Sequence, residues 1–130
     1  MKILFADDDS TIRCFFLELV DKDDTVDIAF DGFQAVECFR KELDKEKPYD
    51  AVFLDIMMPK MDGYKALEEI RKYEKEKQFK SEKKSTMIML SAKSRMNDEK
   101  STIIELYDAY LRMPVGPTEI INLLDKIRSN

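Results

Sequence analysis

Five short apolar runs, separated by stretches of helical periodicity, are the feature of this 130-residue sequence that most restricts its fold. Most of the runs are apolar at successive positions rather than alternate ones, which is typical of strands buried on both faces. Such strands need helices on both sides of the sheet. The predicted strands are Lys2–Ala6, Val26–Ala29, Ala51–Asp55, Thr86–Leu90 and Ala109–Met113.

The segments between the runs carry apolar side chains at the three- and four-residue spacing of amphipathic helices. We predict that Asp9 or Ser10 caps the first helix and that Pro117 occupies the first position of the fifth. The fourth helix has the weakest pattern. The predicted inward-facing residues, helix by helix, are Ile12, Phe15, Phe16, Leu19 and Val20; Ala35, Cys38, Phe39 and Leu43; Ala66, Leu67 and Ile70; Ile103, Ile104 and Tyr107; and Ile120, Leu123, Leu124 and Ile127.

Five β/α alternations with short links predict an α/β fold, a doubly wound five-stranded parallel sheet with helices on both faces, in a single domain over residues 1–130. One segment, Tyr73–Lys84, is nearly all charged. We interpret it as a solvated helix extension and loop, because mixed Lys/Glu runs usually have no other role, with a docking element as the alternative. Ligands of such sheets bind at the carboxyl ends of the strands.

Acidic side chains cluster where two predicted strands end. The first strand ends in FADDDS and the third in LDIMMPKMDG, so Asp7, Asp8 and Asp55 are expected in one pocket, since neighbouring strands lie about 5 Å apart. Carboxylates about 4 Å apart repel by roughly 4 kcal/mol near a protein surface. A helix N-terminus, a cation or solvent could offset this repulsion, and hard oxygen ligands with room for water suit Mg²⁺.

A hydroxyl is expected at the same edge, because Ser91 ends the fourth run. Taken singly, Ser91 and Asp62 are also typical turn residues, and Asp9 or Ser10 typical helix caps. Their combination with the carboxylates at the strand ends of one alternating fold favours a functional site.

Charge and composition exclude several classes of protein. The 27 acidic and 22 basic residues give a net charge of -5, which argues against a nucleic-acid binder. The absence of histidine excludes histidine-based catalysis. No apolar stretch approaches the roughly 18 residues of a membrane span and no signal peptide is present, so we expect a cytoplasmic protein that does not bind membranes. The two cysteines, Cys14 and Cys38, have no metal-ligand spacing and are predicted as reduced core thiols.

The sequence resembles the receiver domain of two-component response regulators, the family of the chemotaxis protein CheY. The stretches that carry the resemblance, in order and spacing, are ILFADDDSTIR, DGFQAVE, YDAVFLDIMMPKMDGYKALEEIR, MIMLSAK and DAYLRMP. The resemblance covers essentially the whole chain. It implies a flavodoxin-like sheet with strand order 2-1-3-4-5, for which CheY is a standard example.

The resemblance also implies a site. Asp55 would accept a phosphoryl group, Asp8 and Asp55 would bind Mg²⁺ directly together with the Met57 backbone carbonyl, and Asp7 would act through water. Ser91 stands where the family has a switch Thr or Ser, and Tyr110 where it has the aromatic partner of the switch.

One position departs from the family pattern. The family has a lysine before the proline that closes the fifth strand, and this residue is Met113. We predict that the change weakens the switch without preventing phosphorylation, and that Lys93 substitutes for the missing cation rather than Arg112. Met57 and Lys93 occupy positions that flank the path of the hydrolytic water in the family.

The function implied is that of a phosphorylation switch. A sensor histidine kinase or a histidine phosphotransfer protein would donate to Asp55, and a downstream protein would bind the face formed by the fourth helix, fifth strand and fifth helix. We expect no output domain, because the sequence ends after the fifth helix. The alternatives are a degenerate receiver that acts as a phosphorylation-independent interaction module, motivated by Met113, and a Mg²⁺-dependent aspartyl phosphatase.

Overall fold

The computed structural model describes residues 1–77, 84–92 and 101–129 of the chain. Within these ranges the chain forms one parallel sheet of five strands, in the order β2-β1-β3-β4-β5, and five helices. The predicted fold class and strand order are therefore confirmed. The elements are β1 (Lys2–Ala6), α1 (Ser10–Leu19), β2 (Thr25–Ala29), α2 (Gly32–Asp44), β3 (Ala51–Asp55), α3 (Gly63–Glu76), β4 (Thr86–Ser91), α4 (Ser101–Ile104), β5 (Ala109–Arg112) and α5 (Pro117–Arg128).

Strand alternation divides the core into two clusters. On one face, residues such as Leu4 and Val52 pack against α2 and α3, and on the other Ile3 and Phe53 pack against α1 and α5. The second cluster is centred on stacked phenyl rings, with the centroids of Phe5 and Phe16 4.1 Å apart. Burial on both faces, inferred from the continuous apolar runs, is therefore found in the central strands.

Aspartate residues cap the N-termini of three of the helices. Asp9 caps α1, where its carboxylate accepts hydrogen bonds from the backbone N–H groups of Thr11 and Ile12. Asp31 and Asp62 cap α2 and α3 in the same manner. Each carboxylate satisfies backbone donors that have no partner within the helix and complements the positive end of its dipole.

The fifth strand is shorter than predicted. It ends at Arg112, so Met113 follows the strand rather than closing it. The Met113 N–H still donates to the Ser91 carbonyl at 2.7 Å, but Pro114 has no N–H with which to continue the ladder.

Two predictions about burial are wrong. Cys14, predicted as a core thiol, is exposed because it lies on the solvent side of α1, whereas Cys38 packs half-buried against the first cluster. In α4, Ile103 is buried but Ile104 is 41% exposed, because these neighbouring residues lie on different sides of the short helix and Ile103 faces the sheet.

The charged Tyr73–Lys84 segment begins as an extension of α3, which ends at Glu76, and residues 78–83 lie outside the described residues. Unlike its neighbours, Glu74 is only 7% exposed. Its carboxylate accepts hydrogen bonds from Arg71 and from the Ser85 N–H, so it is not a solvated residue.

Arg71 connects α3 to the start of β4 and to the segment after α4, at the sheet edge opposite the carboxylates. Its guanidinium donates to the carbonyl oxygens of Leu106 and Ser85, at 2.8 and 2.9 Å, and to the carboxylates of Glu74 and Asp108. Asp108 in turn accepts a hydrogen bond from the Met87 N–H. Across the described ranges, no helix has both the length and the apolarity needed to cross a membrane.

Candidate functional site

Three carboxylates converge at the carboxyl edge of the sheet. Asp7 directly follows β1 and Asp55 ends β3, and these two strands pair in parallel. One oxygen from each of Asp7, Asp8 and Asp55 lies within 4.8 Å of the others. The three carboxylates differ in exposure: Asp7 is buried, Asp55 half-buried and Asp8 exposed. A hydrated divalent cation fits such a set, because it can take carboxylate oxygens on the buried side and water on the open side.

The three acidic residues of FADDDS point in different directions in the turn after β1. The Asp7 N–H donates to the Ala29 carbonyl at 3.1 Å, and an oxygen of its side chain accepts from the Asp9 N–H at 2.9 Å. Asp9 itself points to the helix, where it is the cap of α1. The charge density of this stretch is therefore divided between a pocket, which contains Asp7 and Asp8, and a helix N-terminus.

Asp55 is held by the loop that follows it. One of its carboxylate oxygens accepts a hydrogen bond from the Met57 N–H at 3.2 Å, and the Gly63 N–H closes the loop by donating to the Ile56 carbonyl at 2.9 Å. A β-carbon on Gly63 would lie 2.3 Å from the Asp55 carbonyl oxygen, so only glycine fits where α3 begins. The Met57 side chain itself is 60% exposed.

The carboxylates destabilise one another's charged forms. Burial, followed by the negative charge of Asp7, raises the pKa of Asp55 from 3.8 to about 7. Burial also raises the pKa of Asp7, to which the charges of Asp8 and Asp9 contribute. At neutral pH the pocket without a cation therefore shares a proton for part of the time, and a divalent cation would displace it.

The predicted switch residues lie on the two strands beyond Asp55. Ser91 ends β4, is 3% exposed, and pairs in register with Arg112. Tyr110 lies in β5, half-buried against the first cluster, with its ring centroid 5.8 Å from that of Tyr107. Met113 packs against the second cluster, on the other face of the sheet from Tyr110, while Arg112 is exposed.

Two basic side chains, Lys93 and Arg13, bear on the charge of the pocket. Lys93, predicted to replace the family lysine, lies outside the described residues. Arg13, which the sequence interpretation passed over, donates from Nη1 to the Asp7 carbonyl oxygen at 3.1 Å. Its signal in the sequence was its place four residues after the cap Asp9, because helical side chains lean toward the helix N-terminus.

The doubly wound sheet with strand order β2-β1-β3-β4-β5 and three clustered carboxylates at the carboxyl ends of β1 and β3 defines a class of α/β protein with an acidic edge. The family model of the response regulator receiver domain matches residues 3–125. The chain belongs to the response regulator receiver domain family, and it is homologous to receiver domains of phosphoacceptor signal transduction.

Three relatives illustrate the range of the family. The probable transcriptional regulator ycf27 of Porphyridium aerugineum is 35% identical over 99% of this chain and 51% of its own length. Hybrid signal transduction histidine kinase B of Dictyostelium discoideum is 30% identical over 92% of this chain, which spans only 6% of the kinase. The crystal structure of a mutant receiver domain of the histidine kinase CKI1 from Arabidopsis thaliana is 25% identical, with a TM-score of 0.78, over 99% of this chain and 90% of that one. The chain thus corresponds to about half or less of these two longer curated relatives.

Proposed function

We propose that Asp55 accepts a phosphoryl group from a phosphohistidine, carried by a sensor histidine kinase or by a histidine phosphotransfer protein. The single observation that supports this most is the set of Asp7, Asp8 and Asp55 oxygens within 4.8 Å of one another at the edge of a receiver fold. Homology to histidine kinase receiver domains supports a donor of this kind.

In the transfer step, one Asp55 carboxylate oxygen forms a bond to phosphorus as the phosphorus–nitrogen bond of the phosphohistidine breaks. The histidine ring keeps the electron pair of the broken bond and takes up a proton, so the donor leaves as neutral imidazole. Asp55 must be ionised to attack, and its raised pKa makes ionisation depend on neutralisation of the pocket.

The chain offers ligands for that neutralisation. Asp8 and Asp55 would bind Mg²⁺ directly with the Met57 backbone carbonyl, and Asp7 would bind through water. The donor set is all oxygen and includes an open side, which suits Mg²⁺ because this ion keeps several of its waters. When bound, the ion supplies positive charge that offsets the repulsion between the carboxylates and an incoming phosphoryl group.

The signal would pass through Ser91 and Tyr110. Ser91 ends the strand next to Asp55 and would donate its hydroxyl to a phosphoryl oxygen. Tyr110 shares its side of the sheet and would change its packing in response, which would alter the surface formed by α4, β5 and α5 for a downstream protein. We infer output by protein binding, with no reaction catalysed beyond gain and loss of the chain's own phosphoryl group. The cytoplasmic location and the single-domain organisation stay predictions.

The test is intact-protein mass spectrometry after incubation with acetyl phosphate and Mg²⁺. The protein should gain the mass of one phosphoryl group, and Asp55→Asn should gain none. Asp9→Asn is the matched control, because Asn also caps helices and residue 9 lies outside the pocket. Labelling of Asp55→Asn at the natural level, or full labelling in a chelator, would overturn the proposal.

A phosphorylation-independent interaction module remains the second candidate. Met113 favours it, because this side chain packs into the second cluster and offers no donor to a phosphoryl group. A protein that takes up no phosphoryl group, yet still binds a receiver partner, would establish this alternative.

A further inference from the structure

We propose that Arg13 is a positioning residue for the carboxylate pocket, which it serves by holding the peptide unit between Asp7 and Asp8. The inference rests on the metal site of the proposed function. Arg13 donates to the Asp7 carbonyl oxygen at 3.1 Å, and its guanidinium carbon lies 4.6 Å from the centre of the Phe30 ring.

The held oxygen belongs to the planar unit that joins two residues of the pocket. Because the peptide bond is planar, fixing the Asp7 carbonyl oxygen fixes the plane from the Asp7 Cα to the Asp8 Cα. The Asp7 N–H is held as well, by the Ala29 carbonyl. Arg13 therefore determines the direction in which Asp8, the exposed member of the pocket, leaves the backbone.

The Phe30 ring explains how a long side chain on α1 is kept in one place. Phe30 is 48% exposed, yet its backbone is fixed by the hydrogen bond from its N–H to the side-chain oxygen of Gln34 at 2.8 Å. An arginine stacked on an aromatic ring loses less freedom on hydrogen bonding than a free one, because the stack already restricts the guanidinium plane. Phe30 thus supports the Arg13 side chain, and we refer to the two residues together as the clamp.

The charge of Arg13 and its positioning role predict opposite effects of its removal on Mg²⁺ affinity, so the proposal can be tested. A cation close to a Mg²⁺ site repels the ion, so removal of Arg13 would tighten Mg²⁺ binding if charge were its only effect. If Arg13 orients the Asp7–Asp8 peptide, its removal weakens binding in spite of the lost repulsion. Outer groups that orient metal ligands commonly change metal affinity by about tenfold or more.

The experiment is calorimetric titration of the full chain with Mg²⁺ at pH 8. Arg13→Gln should raise the dissociation constant by about tenfold. Arg13→Lys keeps the charge but lacks the planar donor group, and Phe30→Leu keeps Arg13 but removes its support, so both should weaken binding in the same direction. Lys22→Gln, an exposed charge change in the loop before β2, should leave the constant within about twofold. Urea unfolding confirms that each variant is folded.

A second measurement, the amide ¹⁵N chemical shift of Asp8, tests the clamp in the metal-free protein. The Asp8 amide nitrogen belongs to the peptide unit that Arg13 holds, so its ¹⁵N chemical shift should move in metal-free Arg13→Gln and Phe30→Leu but not in Lys22→Gln. Equal or tighter Mg²⁺ binding by Arg13→Gln, or an unmoved Asp8 shift, overturns the inference. Absence of Mg²⁺ binding in the natural protein instead overturns the proposed metal site, and the metal-free shifts still decide whether the clamp exists.

Discussion

Gly32 lies so close to Met61 that a β-carbon on the glycine would sit 2.2 Å from the Met61 carbonyl oxygen. The Gly32 N–H also donates to that oxygen at 3.1 Å. The first turn of α2 therefore rests on the loop between β3 and α3, the same loop whose Met57 N–H bonds Asp55.

Gly32→Ala is expected to destabilise the protein by about 2 kcal/mol, because the added methyl group must push the Met61 backbone away. Gly116→Ala is the matched control, since no atom lies within 4 Å of its β-carbon position. Urea unfolding of the three proteins measures the difference. Equal losses in the two variants would show that the contact between α2 and the loop is not tight.

The stability of the metal-free protein should fall as the pH rises from about 4 to above 7. The folded pKa of Asp55, raised to about 7, means that the folded state holds this proton more tightly than the unfolded state, so protonation favours folding and its contribution is lost at high pH. Allowing for partial exposure, the loss is of the order of 1–2 kcal/mol.

The measurement is urea unfolding in a chelator at pH 5 and pH 8, for the natural protein and for Asp55→Asn. The variant should lose less stability between the two pH values, because Asn carries no titrating proton. Added Mg²⁺ should restore the natural protein at pH 8. A pH dependence that is the same in both proteins would contradict the assignment to Asp55.

Met113→Lys is expected to strengthen the response of Ser91 and Tyr110 to a phosphoryl mimic such as beryllofluoride. A lysine ammonium at this position would add one charge-assisted contact of about 1.5–3 kcal/mol that methionine lacks. Amide chemical shifts at the two residues provide the measurement. Met113→Leu, which keeps the apolar packing and adds no donor, should respond as the natural protein does. An unchanged response in the lysine variant would mean that its side chain stays in the second cluster.

Met57→Asn is expected to shorten the lifetime of the phosphoryl group. Methionine cannot orient a water molecule, whereas an amide both donates and accepts hydrogen bonds, and the Met57 side chain is exposed next to Asp55. Decay of the phosphorylated mass with time measures the rate. Met57→Leu should decay as slowly as the natural protein. If Asn and Leu variants decayed alike, water orientation at this position would not limit hydrolysis.

Arg71→Met is expected to destabilise the protein by about 3–5 kcal/mol, because it leaves the Glu74 carboxylate buried without its cation. Arg71→Met combined with Glu74→Gln should recover part of the loss, since the amide removes the buried charge. Arg40→Met, at an exposed ion pair with Glu69, should change stability by less than about 1 kcal/mol. Urea unfolding of the single and double variants tests this order.

Local sequence was sufficient where a single pattern determined the structure. Continuous apolar runs predicted β1 and β3 to the residue, and the position of Asp7 and Asp55 after those runs predicted that the acidic residues would meet. The parallel sheet makes this inference possible, because it brings strand ends that are distant in sequence to one edge.

The prediction from sequence failed where a residue's environment depends on a contact that no sequence pattern marks. Glu74 looks like any other residue of a charged helix. It is nevertheless buried, and its carboxylate accepts hydrogen bonds from Arg71 and from the Ser85 N–H. Arg13 was overlooked for the same reason, since its hydrogen bond is to a backbone carbonyl that no side-chain motif marks. Helical periodicity already placed Cys14 on the side of α1 opposite Ile12 and Phe16, so its prediction as a core thiol disregarded the pattern of its own helix.

The Arg71 hydrogen bond to the Leu106 carbonyl has a mechanical consequence for α4. Leu106 lies two residues beyond the end of this helix, and Arg71 anchors it to α3, while the Asp108 side chain ties the next segment to β4. Because Arg71 holds Leu106, any displacement of α4 that keeps this hydrogen bond must be a rotation about the C-terminal end of the helix rather than a translation along the sheet. The end of α4 at Ser101 would then move further than the end that is held through Leu106.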